Sequence, residues 1–258
     1  MKKLKKLLAL MLAMGMVVSL AACGGSDDAA DGSSDAEGEA KYKVGICQLV
    51  QHEALDAASQ GFMDAINEEM GEGTVEFYEQ NAQGDSNTCS TIINEFVSNE
   101  VDLILANATP ALQAAAAGTA DIPILGTSIT DYAVALEIED FNGTVGGNIS
   151  GTCDLAPLSE QANIIKELFP DAKEVGLLYC SAEANSQYQV DVITGDLEAL
   201  GYTCTPYAFS DSNDLATICE VASEHSDVIY IPTDNTAAAN TAIIDNICLP
   251  KKSTCSIR

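Results

Sequence analysis

The stretch Lys43-Val-Gly-Ile-Cys-Gln-Leu49, followed by an amphipathic pattern over 54–70 that ends at Gly71, decides the fold class. A short apolar run is typical of a buried strand, and a longer amphipathic stretch ended by glycine is typical of a helix. The same strand–helix unit recurs along the chain. Strands that alternate with helices of this length predict βαβ units and parallel sheets, which is an α/β fold.

Two series of these units follow each other, with a glycine-rich segment over 143–151 between them. The strands predicted in the first series are 43–49, 74–78, 101–106 and 122–125. The strands predicted in the second series are 174–179, 202–208 and 227–231. Two series predict two lobes, one over residues 41–145 and the other over residues 146–258.

The residues before 41 predict export and a surface tether. Four lysines precede an apolar run over 7–20, which is shorter than the roughly 20 residues that a membrane-spanning helix needs. The run closes with Leu20-Ala-Ala-Cys23, which resembles the bacterial lipobox. We therefore expect a signal peptide over 1–22 and lipid on Cys23, the alternative being an ordinary signal peptide with a chance cysteine. Residues 23–40 are mostly Gly, Ser, Ala, Asp and Glu, which predicts a disordered acidic tether.

Composition limits the partners. The chain has 11 basic and 39 acidic residues, a formal net charge of −28, and four of the basic residues lie in the leader. The chain without its leader has 7 basic and 39 acidic residues, or −32. Such a charge repels phosphates, so nucleic acid and anionic lipid are not expected as partners. Apart from Cys23, the cysteines are scattered without a CxxC pair, and only His52 and His225 could join them, so no metal site is expected.

Short polar residues follow the predicted strands, and in open parallel sheets ligands bind beyond these carboxyl ends. Helix N-termini there suit a carboxylate, and an acidic side chain opposite suits an ammonium group. The ligand-binding candidates at these positions are Gln48, His52, Asp56, Thr109, Ser128, Asn185, Ser186, Asp234 and Asn235. Each of them lies at or near a helix start, so a helix-capping role stays open for every one.

Several phrases resemble a known family. Val44-Gly-Ile-Cys-Gln-Leu-Val-Gln-His-Glu-Ala-Leu-Asp56, Ala106-Asn-Ala-Thr-Pro-Ala-Leu-Gln-Ala114, Asn185-Ser186 and Pro232-Thr-Asp-Asn-Thr236 are together similar to ABC-transporter substrate-binding proteins, in the group with tryptophan- and tyrosine-binding lipoproteins. The resemblance implies a type I periplasmic-binding-protein fold, with two Rossmann-like lobes closing on a small solute. It implies a permease and an ATPase as partners, no cofactor, and an aromatic amino acid as the leading ligand.

The C-terminal residues depart from that pattern. In this fold the chain should continue after residues 249–252 into another apolar strand and then cross back to the first lobe. Ser253-Thr-Cys-Ser-Ile-Arg258 does not have the pattern of that strand. We therefore expect the second lobe to be truncated at the C-terminus.

Two other functions stay open. A surface sensor that presents bound ligand to a signalling partner would share the fold, and gene neighbourhood would distinguish the two. An enzyme would need a nucleophile such as the Cys180 thiol. The sequence has no nucleophile-elbow, zinc-protease or phosphate-loop motif, and the pattern favours a binding protein over an enzyme.

Overall fold

The computed structural model describes residues 41–251 and 256–257. The expected signal peptide (1–22), the lipidated Cys23 and the tether (23–40) lie outside the described residues. Within them the chain forms two parallel sheets with helices on both faces, which confirms the α/β prediction. None of the helices described is both long and apolar enough to cross a membrane.

The first sheet has five parallel strands in the order β2-β1-β3-β4-β5. The strands are β1 (Tyr42–Gln48), β2 (Val75–Asn81), β3 (Leu103–Asn107), β4 (Ile124–Ile129) and β5 (Ile149–Cys153). The helices are α1 (Glu53–Met70), α2 (Ser86–Ser98), α3 (Thr109–Gly118) and α4 (Tyr132–Ala135). We call this half of the chain, residues 41–153, the first lobe.

The second sheet has four parallel strands in the order β7-β6-β8-β9. The strands are β6 (Glu174–Cys180), β7 (Thr203–Phe209), β8 (Val228–Tyr230) and β9 (Ser256–Ile257). The helices are α5 (Leu158–Leu168), α6 (Ala184–Ala199), α7 (Leu215–His225), α8 (Asn235–Ala239) and α9 (Thr241–Cys248). The described residues from 154 onward form the second lobe.

The glycine-rich segment contains a strand that the sequence did not predict. β5 pairs with β4, so the first sheet extends to Cys153, past the position between residues 145 and 146 at which the lobe boundary was expected. Glycine serves close packing here, because a Cβ on Gly151 would clash with the backbone of Gly126 and with the hydroxyl of Tyr132. That hydroxyl donates a 3.1 Å hydrogen bond to the Gly126 carbonyl oxygen.

The C-terminal residues also differ from the expectation. Ser256 and Ile257 pair in parallel with Ile229 and Tyr230, so a short strand does form after β8. Parallel pairing uses backbone groups, and two residues are enough to make it without the apolar pattern that predicts a strand. Residues 256–257 therefore pair as a strand although 253–258 lacks the apolar pattern expected of it.

Gly45 in β1 leaves the space that the Phe96 ring of α2 occupies. A Cβ at position 45 would lie 2.5 Å from a carbon of that ring, and Phe96 is fully buried. We expect Gly45→Ala to lower the free energy of unfolding by about 2 kcal/mol, because overpacking a close-packed core typically costs about 1–3 kcal/mol. Urea denaturation measures the change.

Gly61 provides the matched control for this substitution. It lies within α1, and a Cβ at position 61 would meet no other atom within 4 Å, so alanine there should raise stability by about 0.5–1 kcal/mol. Equal effects of Gly45→Ala and Gly61→Ala would contradict the packing argument.

Candidate functional site

The candidate residues gather where each sheet reverses its strand order. β1 and β3 are neighbours in the first sheet, but the chain leads from β1 to β2 on one side and from β3 to β4 on the other. Such a place is a switch point, and β6 and β8 form the switch point of the second sheet. Ligands of open α/β sheets bind in the crevice beyond the carboxyl ends of such strands. The candidates that follow these four strands are His52, Thr109, Asn185, Ser186, Asp234 and Asn235, whereas Gln48 ends β1, Asp56 lies in α1 and Ser128 lies in β4.

The larger cavity, of about 620 Å³, lies between the two lobes. The loop after β1 contributes 51–54, and the segment after β8 contributes 231–235, with further lining from α8 and α9. His52, Asp234 and Asn235 are therefore brought together across this cleft. Gln48 and Asp56 line a second cavity of about 370 Å³ beside β2, and Thr109, Ser128, Asn185 and Ser186 line neither.

Gln48 belongs to a hydrogen-bonded network that fixes α1 on the first sheet. Its side-chain nitrogen donates to Asp56 at 2.7 Å, and its oxygen accepts from the Ser59 hydroxyl at 2.8 Å. The side-chain nitrogen of Asn107, at the end of β3, donates to Ser59 at 3.0 Å and to the Leu55 carbonyl at 2.8 Å. These bonds already use the polar atoms of Gln48, so its observed role is structural.

The start of α3 combines unusual backbone with unused polar atoms. Ala108 and Ser128 have φ of 92° and 56°, values that non-glycine residues rarely adopt. Within the described residues, the side-chain oxygens Thr109 Oγ1 and Asn107 Oδ1 are buried without a hydrogen-bond partner. An orphaned buried acceptor is costly and calls for an explanation, and a helix N-terminus attracts anions.

Glu183 is a buried carboxylate at the corresponding edge of the second sheet. Only 2% of it is exposed. Its Oε2 accepts from the backbone nitrogen of Asn235 at 3.1 Å and from the Asn235 side chain at 2.6 Å. Its Oε1 accepts from the backbone nitrogen and the hydroxyl of Thr236, both at 2.8 Å. One carboxylate therefore organises the start of α8.

Asp234 lies next to Glu183 and caps the same helix. Its Oδ1 accepts from the Ala237 nitrogen at 2.8 Å and its Oδ2 from the Cys180 nitrogen at 2.6 Å. Burial, and then repulsion from Glu183, raise the pKa of Asp234 to about 7. No basic side chain of the described residues is among the groups that shift this pKa. The two acidic side chains thus make this end of the second sheet electronegative.

A hydrogen bond crosses the cleft between the two lobes. The distance from His52 Nε2 to Asn235 Oδ1 is 3.2 Å. His52 occupies the N-cap position of α1, yet its side chain makes no capping hydrogen bond and reaches the second lobe instead. The lobes also touch where α3 and α4 meet α6.

The thiol of Cys180 does not have the environment of a catalytic nucleophile. Burial raises its pKa to about 11, and the nearby carboxylates of Asp234 and Glu183 act in the same direction. The thiolate is the reactive form, and a raised pKa disfavours it. The sulfur lies 3.5 Å from the Ser210 carbonyl oxygen, to which the thiol donates.

Sequence reasoning missed Glu183 and Asn107 as site residues. A glutamate between a strand and a helix is normally a solvated surface residue, so its burial had no local signal. The available signal was positional, since both residues lie at the carboxyl ends of switch-point strands, β6 and β3.

This arrangement of two parallel sheets with switch points facing one cleft is the type I periplasmic-binding-protein fold. The model of the ABC transporter substrate-binding protein family matches residues 43–252. The chain belongs to this family, whose members bind small-molecule solutes, work with permease and ATPase subunits, and are binding proteins rather than enzymes.

Named relatives agree with the family. The chain is 33% identical to the tyrosine-binding protein of Clostridioides difficile (strain R20291) over 255 residues, which is 97% of this chain and 74% of that protein. It is 32% identical to an ABC domain from Streptococcus pneumonia in complex with L-Trp, with a TM-score of 0.80 over 85% of this chain and 75% of that chain.

A third relative is the ligand-free, open structure of a substrate-binding protein with adhesive properties from Clostridium difficile. It is 34% identical, covers 83% of this chain and 74% of its own, and superposes with a TM-score of only 0.56. At nearly equal identity, the present structure therefore superposes more closely on the L-Trp complex than on the open, ligand-free protein.

Proposed function

We propose that this protein is the extracytoplasmic solute-binding lipoprotein of an ABC importer, and that it holds an amino acid, with an aromatic one the leading candidate, between its two lobes. The observation that carries the proposal is the superposition on the L-Trp complex together with a cleft at matching switch points of both sheets. The tyrosine-binding relative supports the same ligand class.

The first lobe offers a place for the ligand carboxylate. The N-terminus of α3 has backbone N–H groups without intrahelical partners, and its dipole favours negative charge. The buried Thr109 hydroxyl has no partner among the described residues and can donate to an anion. A carboxylate bound here would satisfy a group that the protein leaves unsatisfied.

The second lobe offers a place for the ligand ammonium group. The carboxylates of Glu183 and Asp234 supply negative potential, but their oxygens already accept hydrogen bonds from the protein. Asn185 Oδ1 is buried and, within the described residues, has no donor. It is therefore the acceptor that we assign to the ammonium, while the two carboxylates favour its charge from a distance.

Isothermal titration of the full-length protein with L-tryptophan, L-tyrosine and two analogues tests this proposal. Tryptamine lacks the carboxylate and indole-3-propionic acid lacks the ammonium group. We expect each analogue to bind at least about 100-fold more weakly than L-tryptophan, because each leaves one buried polar site unpaired. If amino acids, nucleosides and short peptides all fail to bind, the amino-acid assignment is wrong; equal binding of the analogues would refute the two polar sites.

The membrane anchor is a second part of the proposal. The basic start, the short apolar run and the Leu20-Ala-Ala-Cys23 sequence support lipid attachment at Cys23. A lipid chain of this kind holds a protein at a membrane surface without a spanning helix. We expect Cys23→Ser to abolish labelling with a radioactive fatty acid in the native host, and persistent labelling of the variant would disprove attachment at this residue.

A further inference from the structure

His52 and Asn235 meet across the cleft, and the chemistry of their contact is fixed by a third residue. The Asn235 side-chain nitrogen donates to Glu183 Oε2 at 2.6 Å. Rotating the amide by half a turn would place its oxygen against the carboxylate, which is repulsive. Asn235 Oδ1 therefore has to face His52, and His52 Nε2 has to carry the proton that it donates over 3.2 Å.

The polar side-chain atoms of Asn235 each have a hydrogen-bond partner in the protein. Its backbone nitrogen and its side-chain nitrogen both donate to Glu183, and its side-chain oxygen accepts from His52. This contrasts with Thr109 and Asn185, each of which keeps a buried oxygen without a partner among the described residues.

We propose that His52 and Asn235 form a latch that holds the cleft closed, and that Glu183 sets the latch by orienting the Asn235 amide. His52 and Asn235 act in this proposal as positioning residues rather than as ligand contacts. The inference rests on the proposed function, since a latch matters only for a protein whose lobes open and close. The two side chains belong to different lobes, so opening the cleft separates them and closing it restores the bond.

The latch raises affinity by populating the binding-competent state. Apparent affinity falls in proportion to the fraction of molecules that can close, and closure is favoured by any contact made only in the closed state. Losing one hydrogen bond of this kind should weaken ligand binding by about 3- to 10-fold. The loss should appear mainly as faster dissociation, because the bond between the lobes has to break before the ligand can leave.

Two substitutions at position 52 separate a latch from a ligand contact. His52→Ala removes the donor, whereas His52→Gln keeps an N–H donor at a similar reach. The matched control is His225→Ala, which removes the other histidine, an exposed residue bonded to the Val221 carbonyl of its own helix. Stopped-flow dissociation of L-tryptophan should be faster in His52→Ala, close to wild type in His52→Gln and unchanged in His225→Ala.

Small-angle X-ray scattering of the ligand-free variants tests the latch independently of any ligand, because it measures the radius of gyration. We expect His52→Ala to have a larger radius of gyration than wild type, with His52→Gln restoring the smaller value. Unchanged scattering in His52→Ala, or a His52→Gln variant as open as His52→Ala, would overturn the proposal. If no amino acid binds the wild type, the proposed ligand fails, but the scattering comparison still decides whether the latch exists.

Discussion

Glu183→Ala is expected to lower the free energy of unfolding by about 3 kcal/mol. The substitution removes the acceptor of four hydrogen bonds from Asn235 and Thr236. It leaves two backbone N–H groups, one buried and one partly buried, without that acceptor. Each orphaned donor costs about 1–3 kcal/mol, and relief of repulsion with Asp234 returns only part of the loss. Urea denaturation followed by far-ultraviolet circular dichroism measures it.

Glu160→Ala is the control for that measurement. Glu160 lies in the first turn of α5, as Glu183 lies at the start of α6, but it is exposed. A surface substitution of this kind should change stability by no more than about 0.5 kcal/mol. If Glu183→Ala were as mild as Glu160→Ala, the carboxylate would not organise the start of α8. Glu183→Ala should also release the latch, because the Asn235 amide loses its orientation.

The second large effect is a dependence of stability on pH that Asp234 causes. Its pKa is about 7 in the folded protein, above the ordinary value of 3.8 that applies to the unfolded chain. The folded state therefore binds an additional proton between these two values. The contribution of Asp234 to the free energy of unfolding is fully present below about pH 4 and is lost as pH rises through about 7.

We expect the free energy of unfolding to fall by about 3 kcal/mol between about pH 5 and pH 8 because of this one group. Asp234→Asn should flatten the dependence, since the amide does not titrate. The variant has one acceptor oxygen for the Ala237 and Cys180 nitrogens instead of two at every pH, so the slopes rather than the absolute stabilities are compared. Equal slopes in the two proteins would show that Asp234 does not titrate in this range.

Much of the fold could be predicted because its strands are buried on both faces. Runs such as Val44–Cys47 and Val175–Cys180 have to be apolar when helices cover both sides of a parallel sheet, and this pattern is visible in the sequence. β5 had no such run, since most of its residues are exposed and Gly151 is needed for close approach to β4. β9 was missed because its pairing depends on the backbone alone.

The strand-end rule placed only some of the candidates at the cleft and gave none of them its hydrogen-bond partner. The rule for strand ends pointed to His52, Asp234 and Asn235, and these residues line the cleft. It could not tell that Asn235 bonds to His52 from the other lobe, because the two are separated by 183 positions. Nor could it reveal that Gln48 is occupied by Asp56 and Ser59, since hydrogen-bond partners depend on packing.

The position of Glu183 has a consequence for how this protein can evolve. One side chain both completes the start of α8 and orients the amide that meets His52, so a mutation there changes folding and solute affinity together. Selection for a new solute has little freedom at such a residue. Mutations that change specificity should instead accumulate at cavity residues whose side chains have no structural role, such as Ala238 and Ala239. The residues that change when the protein evolves to bind a new ligand should therefore differ from the residues that hold the cleft closed.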